Sequence, residues 1–323
     1  MPEIETFQTQ PPVEIDDILQ EFDKRILAGK EILGYVMVGG GSLGRYQRGV
    51  NRRLRELQIL QRVQSFYGAS VGTLNSAIES LFINNDNGPA ELWDAILKNS
   101  DVYLGQVPSS KWDIVKLIAT MTPWRKNKLL DESPLIKIFE KYFPNPNMLI
   151  KELPIPVYGV STDMIAGKRV TFGPNDKVTD MLRATCALPD LFDLYMGRYA
   201  DGGIMDNEPF DIAVENKCTK VLGTFCHADQ APTEIPLKNM FDIGYRTLQI
   251  MIAANELKIW KTVDMMQQLR KALKQDPIEI WMIWPSKDTG DFLNFNNPWI
   301  EQLGYNDACQ FFTREKIANF LLS

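Results

Sequence analysis

The chain has 323 residues, 45% of them hydrophobic and 24% charged, so it is long enough to bury one large α/β core or two smaller ones. Its net charge of −6 provides no overall positive field, and we expect no nucleic-acid partner. The N-terminus lacks the basic and apolar segments of a signal peptide, and no run of about 18 apolar residues predicts a membrane span. These features predict a cytoplasmic protein whose contact with membranes is peripheral.

The hydrophobic pattern divides the chain into three parts. Residues 1–32 are predicted to be a loose tail followed by a helix over 15–27. Residues 33–216 form the predicted core, and residues 217–323 add strands and helices that complete the same domain. The predicted strands are 33–38, 65–69, 157–160, 169–172, 197–200, 220–225 and 278–283. The predicted helices are 45–60, 73–82, 178–187 and two within 237–273, with a mostly helical insertion from 90 to about 148. Buried strands that alternate with helices predict an α/β fold with a mainly parallel sheet.

A glycine-rich turn follows the first predicted strand. Gly39, Gly41 and Gly44 spell G-x-G-x-x-G in the segment VGGGSLG, which is the spacing of a dinucleotide-binding turn. That function also requires an acidic residue about 20 residues further on, at the end of the second strand. The second strand ends in Ala69 and Ser70 instead, so we expect no nucleotide and no other cofactor.

The second predicted strand leads into a motif typical of hydrolytic enzymes. The segment YGASVG contains Gly68, Ser70 and Gly72 in the pattern G-x-S-x-G between a strand and a helix, which is the nucleophile elbow. Glycine is needed on both sides because a Cβ atom would crowd the turn. Attack of Ser70 on an ester creates an oxyanion that needs N–H donors at about 3 Å. The glycine turn at the start of a helix provides such donors, so residues 39–41 are a candidate oxyanion hole.

A nucleophilic serine also needs a base, and the sequence offers two. The single histidine, His227, follows a predicted strand, and the order Ser70, Asp201, His227 fits an α/β-hydrolase triad. Alternatively, Asp201 in the segment ADGG takes the serine proton directly, because Gly202 and Gly203 beside it allow a close approach. The residues alone leave both the triad and the dyad open.

Three motifs in order give the sequence a family likeness. GGGSLG, GASVG and ADGG, with the connecting segments LLDESPL, STDMIAGKRVTF and MLRATCALPDLF, resemble the patatin-like phospholipases over residues 33–216. The resemblance implies a three-layer α/β/α fold and an enzyme that hydrolyses acyl esters of membrane phospholipids, of phospholipase A or lysophospholipase type, through a Ser–Asp dyad and an acyl-enzyme. By motif position, Ser70 resembles the nucleophile and Asp201 the base. The backbone amides of Gly39, Gly40 and Gly41 resemble the oxyanion hole.

One position departs from the family pattern. The family usually has a basic residue before the last glycine of the first motif, where this chain has Leu43 before Gly44. Arg45 lies two places further on, although its side chain is expected to point elsewhere on the helix. Backbone donors survive this change, whereas a side-chain cation does not. The departure keeps open a weakly active or inactive protein that binds lipid or a partner.

The remaining polar side chains near the motifs predict no metal site. Asp206 and Glu208 follow the ADGG motif without a constellation of metal ligands, and we expect them to be solvated or to cap a helix. Outside a triad, His227 is expected to be a core or loop histidine. The cysteines have no C-x-x-C spacing, so we expect buried free thiols at 186, 218, 226 and 309.

Two segments have patterns that suit contact with lipid. Residues 109–130 combine tryptophans with a basic end, as interfacial segments do, and residues 240–273 carry a stripe of methionine and aromatic side chains. Both patterns are also typical of packing against the core, and the second also suits a lid or an oligomer interface. A lipase that meets its own cell's membranes needs restraint, so we expect regulation by a bound activator or by self-association.

Overall fold

The protein is described here by a computed structural model that covers residues 13–98, 132–189, 191–227, 240–290 and 297–323. The predicted N-terminal tail lies almost wholly outside these residues, as does the whole of the segment 109–130. Within the described ranges, none of the helices has the length and apolar character needed to cross a bilayer.

A seven-stranded sheet runs through the centre of the molecule, in the order β4-β3-β2-β1-β6-β7, with β5 also paired to β3. The strands are β1 (Leu33–Met37), β2 (Ser65–Ala69), β3 (Val157–Asp163), β4 (Lys168–Phe172), β5 (Tyr199–Asp201), β6 (Lys220–Thr224) and β7 (Glu279–Ile283). Pairing is parallel except where β4 and β5 meet β3. Every residue of β1, β2 and β6 is buried, so both faces of the sheet are covered. The predicted three-layer α/β/α fold with a mainly parallel sheet is confirmed.

Ten α-helices are found in the described residues. They are α1 (Asp16–Leu27), α2 (Gly44–Glu56), α3 (Val71–Leu81), α4 (Asn87–Lys98), α5 (Ser133–Tyr142), α6 (Val178–Thr185), α7 (Phe210–Glu215), α8 (Met240–Ala272), α9 (Trp299–Phe311) and α10 (Arg314–Leu322). The prediction of two helices within 237–273 is wrong, because α8 is continuous. This segment contains no proline to break it.

Helix α8 meets the core through one aromatic side chain. The ring of Trp260 lies 5.3 Å from that of Phe210 and 6.2 Å from that of Phe225. Further along the helix Val263 is buried, whereas Met265 is 65% exposed. Of the alternatives for the methionine and aromatic stripe, packing against the core therefore holds for Trp260 and fails for Met265.

Helix α9, near the C-terminus, packs with its backbone directly against α2. A Cβ atom at Gly49 of α2 would overlap the carbonyl group of Glu301, and one at Gly304 of α9 would overlap that of Tyr46. The hydroxyl of Tyr46 also donates to Asp307 at 3.1 Å. Since α2 begins directly after the glycine turn, α9 helps to fix the position of that turn.

Candidate active site

Strand pairing brings Ser70 and Asp201 together although they are far apart in the sequence. One edge of β3 is taken by β4, which pairs with it from residue 159 to residue 163. On the other edge, β2 pairs with the first part of β3 and ends at Ala69, opposite Val160. The next residue of β3, Ser161, pairs with Asp201 of β5. Strands β2 and β5 therefore lie end to end, and Ser70, which follows Ala69, reaches the end of β5.

Ser70 forms a strained turn between β2 and α3. Its φ of 52° is in a region that residues with a Cβ atom rarely adopt, and strain of this kind is concentrated at functional sites. The Ser70 N–H donates to the hydroxyl oxygen of Thr185 at 2.9 Å, which holds the turn in place. A Cβ atom at Gly68 would lie 2.5 Å from the amide nitrogen of Thr73, and one at Gly72 would overlap the backbone of β1. Both glycines of the motif are thus needed for this turn.

The backbone of Asp201 is fixed on both sides, while one oxygen of its carboxylate is left free. Its N–H donates to the carbonyl of Ala187 at 2.8 Å, and its carbonyl accepts from the Thr162 hydroxyl at 2.9 Å. Oδ1 accepts the N–H of Gly203 at 2.8 Å. Among the described residues, no donor forms a hydrogen bond of normal geometry with Oδ2. The hydroxyl of Ser70 nevertheless lies close enough to lower the pKa of Asp201.

The pKa of Asp201 reflects a balance between burial and these donors. The side chain is 2% exposed, and desolvation raises its pKa from 3.8 to about 6. The Ser70 hydroxyl and the Gly203 N–H act in the opposite direction and lower it. Asp201 is therefore a stronger base than an exposed aspartate and remains ionised at neutral pH.

The glycine turn lies beside Ser70. A Cβ atom at Gly39 would lie 3.1 Å from the Cβ atom of Ser70, so the turn and the elbow are in close contact. Gly41 has a φ of 54° and begins a short 3-10 helix that continues into α2. The prediction that Gly39 contributes an oxyanion donor is not supported, because its N–H donates to the carbonyl of Asn207 at 3.4 Å, whereas in the described residues the N–H groups of Gly40 and Gly41 have no hydrogen-bond acceptor. Two free donors at a helix N-terminus therefore lie near the serine, where they suit a negative charge.

Buried amide side chains that motif analysis missed hold the glycine turn. Gln47 donates from Nε2 to the carbonyl of Val38 at 2.8 Å, before the turn, and Asn75 donates from Nδ2 to the carbonyl of Gly44 at 2.9 Å, after it. Gln47 and Asn75 also bond to each other at 2.8 Å. Asn207 donates to the carbonyl of Gly39 at 3.4 Å. Asn207 follows the ADGG motif closely, which is the only signal the sequence gives for it.

His227 packs against an aromatic ring. Its imidazole ring lies edge-on to Trp284, with 6.4 Å between the ring centres. Among the contacts of the described residues there is no hydrogen bond between His227 and Ser70 or Asp201.

Neither residue next to the last glycine of the turn places a cation near Ser70. Leu43 is 3% exposed and packs in the core. Arg45 forms an ion pair with Glu301 of α9, with 3.3 Å between Nε and Oε2. Arg45 therefore does not replace the basic residue that the family usually has before Gly44.

Two acidic residues after the ADGG motif were expected to be solvated or to cap a helix. Both are buried, so the first alternative is wrong, and the Asp206 carboxylate accepts the N–H of Glu208 at 3.2 Å, just before α7. Asp206 is 3% exposed and Glu208 is fully buried. Asp206 accepts from Arg169 at 2.6 Å, and Arg169 also binds Asp211 of α7 at 2.7 Å. Burial, and secondarily the charge of Asp211, raise the pKa of Asp206. These groups tie β4 to the segment that follows Asp201.

The four cysteines are free, as expected. Cys218 and Cys226 are fully buried residues, whereas Cys186 and Cys309 are partly buried, and burial raises the pKa of all four thiols.

A cavity of about 470 Å³ lies beside Ala187, whose backbone contacts that of Asp201. Polar and apolar groups contribute about equally to its lining, which comprises Glu132, Leu135, Ile136, Phe139, Arg183, Cys186, Ala187, Phe192, Asp193, Leu194, Tyr195 and Met196. The carbonyl group of Ala187, in the cavity wall, accepts the Asp201 N–H. Burial raises the pKa of the neighbouring Cys186 thiol, and the negative charge of Asp201 raises it further. The volume is in the range of small-molecule sites.

Comparison with known proteins identifies the family. The model of the family described as patatin-like phospholipase matches residues 35–214, a range that contains the elbow, the glycine turn and Asp201. The chain belongs to the patatin-like phospholipase family.

Individual relatives are more distant. Uncharacterized NTE family proteins of Mycobacterium tuberculosis and Mycobacterium bovis are 29% identical to this chain over 217 residues, which are 66% of this chain and 33% of theirs. This chain thus spans about a third of the length of those relatives.

Several solved structures are similar to this chain at low sequence identity. VipD from Legionella pneumophila is similar at 13% identity and a TM-score of 0.41, over 87% of this chain and 66% of that one. The heterodimeric ExoU–SpcU complex of Pseudomonas aeruginosa is similar at 15% identity and a TM-score of 0.35, over 70% and 51% of the two chains. Human GIVD cytosolic phospholipase A2, bound to methyl gamma-linolenyl fluorophosphonate, is similar at 14% identity and a TM-score of 0.30, over 59% and 28%.

Proposed function

We propose that this protein is a lipid acyl hydrolase that cleaves carboxylic ester bonds of membrane phospholipids, with Ser70 as nucleophile and Asp201 as base. The observation that carries the proposal is the end-to-end position of β2 and β5, which sets a strained serine beside a buried carboxylate with one free oxygen. Family membership supports the reaction class.

In the acylation step, Oγ of Ser70 attacks the carbonyl carbon of the ester while its proton passes to Oδ2 of Asp201. The carbonyl oxygen becomes an oxyanion and accepts hydrogen bonds from the free N–H groups of Gly40 and Gly41. The tetrahedral intermediate then collapses and breaks the bond to the alcohol oxygen. That oxygen takes the proton from Asp201, and the acyl group remains on Ser70.

In the deacylation step, water replaces the alcohol. Asp201 takes a proton from the water as it attacks the acyl carbon, and it returns the proton to Oγ of Ser70 as the fatty acid leaves. A base with a pKa of about 6 suits both directions, because it is ionised at neutral pH and close enough to that pH to release its proton again.

A second candidate function is a protein that binds lipid without turning it over. It is favoured by the absence of a cation at Leu43 together with the engagement of Arg45 by Glu301. The hydrolase remains the better supported function, because donors from the backbone do not depend on either side chain.

Lipid mass spectrometry of phospholipid vesicles incubated with the protein tests the proposal. We expect fatty acid and lysophospholipid to appear with the unaltered protein, and Ser70→Ala and Asp201→Asn to lower the rate by about a thousandfold or more. Asp176→Asn is a matched control, because Asp176 also accepts a backbone N–H, that of Gly173, but is exposed. This control is expected to keep the full rate.

Three outcomes contradict the proposal. Full activity of Asp201→Asn excludes its role as base, and a loss of several orders of magnitude in His227→Ala favours the triad. Vesicle binding by the unaltered protein without any product favours the lipid-binding candidate.

A further inference from the structure

The end of α6 contacts both residues of the proposed dyad. The hydroxyl oxygen of Thr185, the last residue of α6, accepts the N–H of Ser70 at 2.9 Å. Two residues further on, the carbonyl oxygen of Ala187 accepts the N–H of Asp201 at 2.8 Å. We refer to residues 185–187 as the α6 anchor. Because one short segment binds the backbones of both residues, its position sets the distance between them.

The hydroxyl of Thr185 is part of a buried pair of threonines. Thr185 is fully buried, and its hydroxyl oxygen lies 3.1 Å from that of Thr73 in the first turn of α3. Thr73 is also fully buried, and its N–H donates to the carbonyl oxygen of Ser70 at 2.9 Å. The two threonines therefore hold Ser70 from both sides, Thr185 at the N–H and Thr73 at the carbonyl group.

This arrangement acts on a residue whose backbone is strained. Ser70 has a φ of 52°, and a conformation of this kind persists only where the surrounding structure enforces it. Removal of the Thr185 hydroxyl takes an acceptor away from the buried Ser70 N–H. Because a buried N–H without an acceptor is unfavourable, the elbow is then expected to rotate toward a less strained conformation.

Such a rotation moves the hydroxyl of Ser70 but leaves its base in place. Asp201 is held by groups that do not involve Ser70: its Oδ1 accepts the N–H of Gly203 at 2.8 Å, and its carbonyl oxygen accepts the hydroxyl of Thr162 at 2.9 Å. The distance between the Ser70 hydroxyl and the Asp201 carboxylate therefore changes. A displacement of about 1 Å between reacting groups lowers a rate by up to about a hundredfold.

We propose that Thr185 is a positioning residue of the reaction. Its hydroxyl holds the elbow in the conformation that directs Oγ of Ser70 toward Asp201, while the α6 anchor keeps the two backbones at a fixed distance. This inference rests on the proposed function, since it concerns the transfer of the Ser70 proton. Thr185 acts through the backbone of Ser70 and takes no part in the making or breaking of bonds.

A second buried hydroxyl on α3 provides a control of matched geometry. The Ser80 hydroxyl oxygen accepts the N–H of Ile155 at 2.9 Å and donates to its carbonyl oxygen at 2.6 Å. Ser80 is fully buried, as Thr185 is, but lies at the end of α3 that is remote from Ser70. Loss of this hydroxyl is therefore expected to lower stability without moving the elbow.

The test compares variants with and without a hydroxyl at position 185. Thr185→Val keeps the shape of the side chain and removes the hydroxyl, whereas Thr185→Ser keeps the hydroxyl. For a soluble short-chain ester we expect kcat to fall by about a hundredfold in Thr185→Val, with KM changed by less than about twofold. Thr185→Ala repeats this loss without depending on the fit of valine. Thr185→Ser and the control Ser80→Ala are expected to keep kcat within about threefold of the unaltered protein.

The pH dependence gives a readout that a simple loss of stability does not change. Desolvation raises the pKa of Asp201 to about 6, against the lowering effects of the Ser70 hydroxyl and the Gly203 N–H. The neighbouring Cys186 thiol remains neutral, because burial raises its pKa. When the elbow rotates, the effect of the Ser70 hydroxyl is lost and the pKa of Asp201 rises further. We therefore expect the acidic limb of the pH–rate profile to move to higher pH in Thr185→Val but not in Thr185→Ser.

Each of three results overturns the role of Thr185. They are a kcat of Thr185→Val within about threefold of the unaltered protein, an equal loss in Thr185→Ser, and an acidic limb that does not move. If the unaltered protein cleaves no ester, the hydrolase proposal fails, and NMR titration of the labelled carboxyl carbon of Asp201 tests the positioning by itself. A higher pKa in Thr185→Val alone then supports the role of Thr185, and equal pKa values in the three proteins overturn it.

Discussion

At the scale of single residues, burial determines what Asp201 can do. An exposed aspartate has a pKa near 3.8 and is a weak base, whereas desolvation raises that of Asp201 to about 6. The Ser70 hydroxyl opposes this shift, so the two side chains influence each other before any substrate binds.

The first prediction concerns the pH dependence of the reaction. Because Asp201 acts only when ionised, we expect kcat/KM for a soluble ester to rise about tenfold per pH unit below pH 6 and to level off above it. A pH–rate profile of the unaltered protein measures this. A profile that is flat between pH 4.5 and about 7 contradicts the role of Asp201.

The same pKa shift has the opposite effect on stability. Between the unfolded pKa near 4 and the folded pKa of about 6, the folded state keeps a proton that the unfolded state has released, so stability falls as the pH rises through this window. The full effect is about 3 kcal/mol. Asp201→Asn lacks this titration. We therefore expect the difference in Tm between Asp201→Asn and the unaltered protein to shift in favour of Asp201→Asn as the pH rises from about 4 to about 7. A constant difference in Tm contradicts the shift.

Motif positions indicated Ser70 and Asp201 because their local sequence is distinctive. Gln47, Asn75 and Asn207 could not be found in this way, since they act through contacts with distant parts of the chain that leave no local pattern. The burial of Asp206 was missed for the same reason, because its partner Arg169 lies on another strand.

At the scale of helices and strands, β2 and β5 share one edge of β3, and this arrangement unites the two motifs. The hydrophobic pattern of the sequence predicted these strands and most helix positions. It did not predict their order in the sheet or the continuity of α8, since pairing depends on long-range packing.

The contact between α2 and α9 gives a prediction for this scale. Gly304→Ala places a Cβ atom against the carbonyl group of Tyr46, so the helices must separate and the glycine turn before α2 must shift. We expect a loss of about 1 to 3 kcal/mol in stability, seen as a lower Tm in thermal melts. Gly173→Ala is the control, because its Cβ atom meets only the Tyr158 ring, at 3.4 Å. Equal Tm values for the two variants contradict the close packing.

At the scale of the whole molecule, the strands that follow the two motifs extend the sheet that holds them. β6 pairs with β1, and β7 pairs with β6, so residues beyond the family match complete the layer on which the elbow is built.

The most direct test of the central claim, that Ser70 and Asp201 act together, is intact-protein mass spectrometry with a long-chain fluorophosphonate. We expect one adduct, on the peptide that contains Ser70, and labelling slowed by about a hundredfold or more in Asp201→Asn but not in His227→Ala. Labelling of another residue, or an equal rate in Asp201→Asn, would contradict the account.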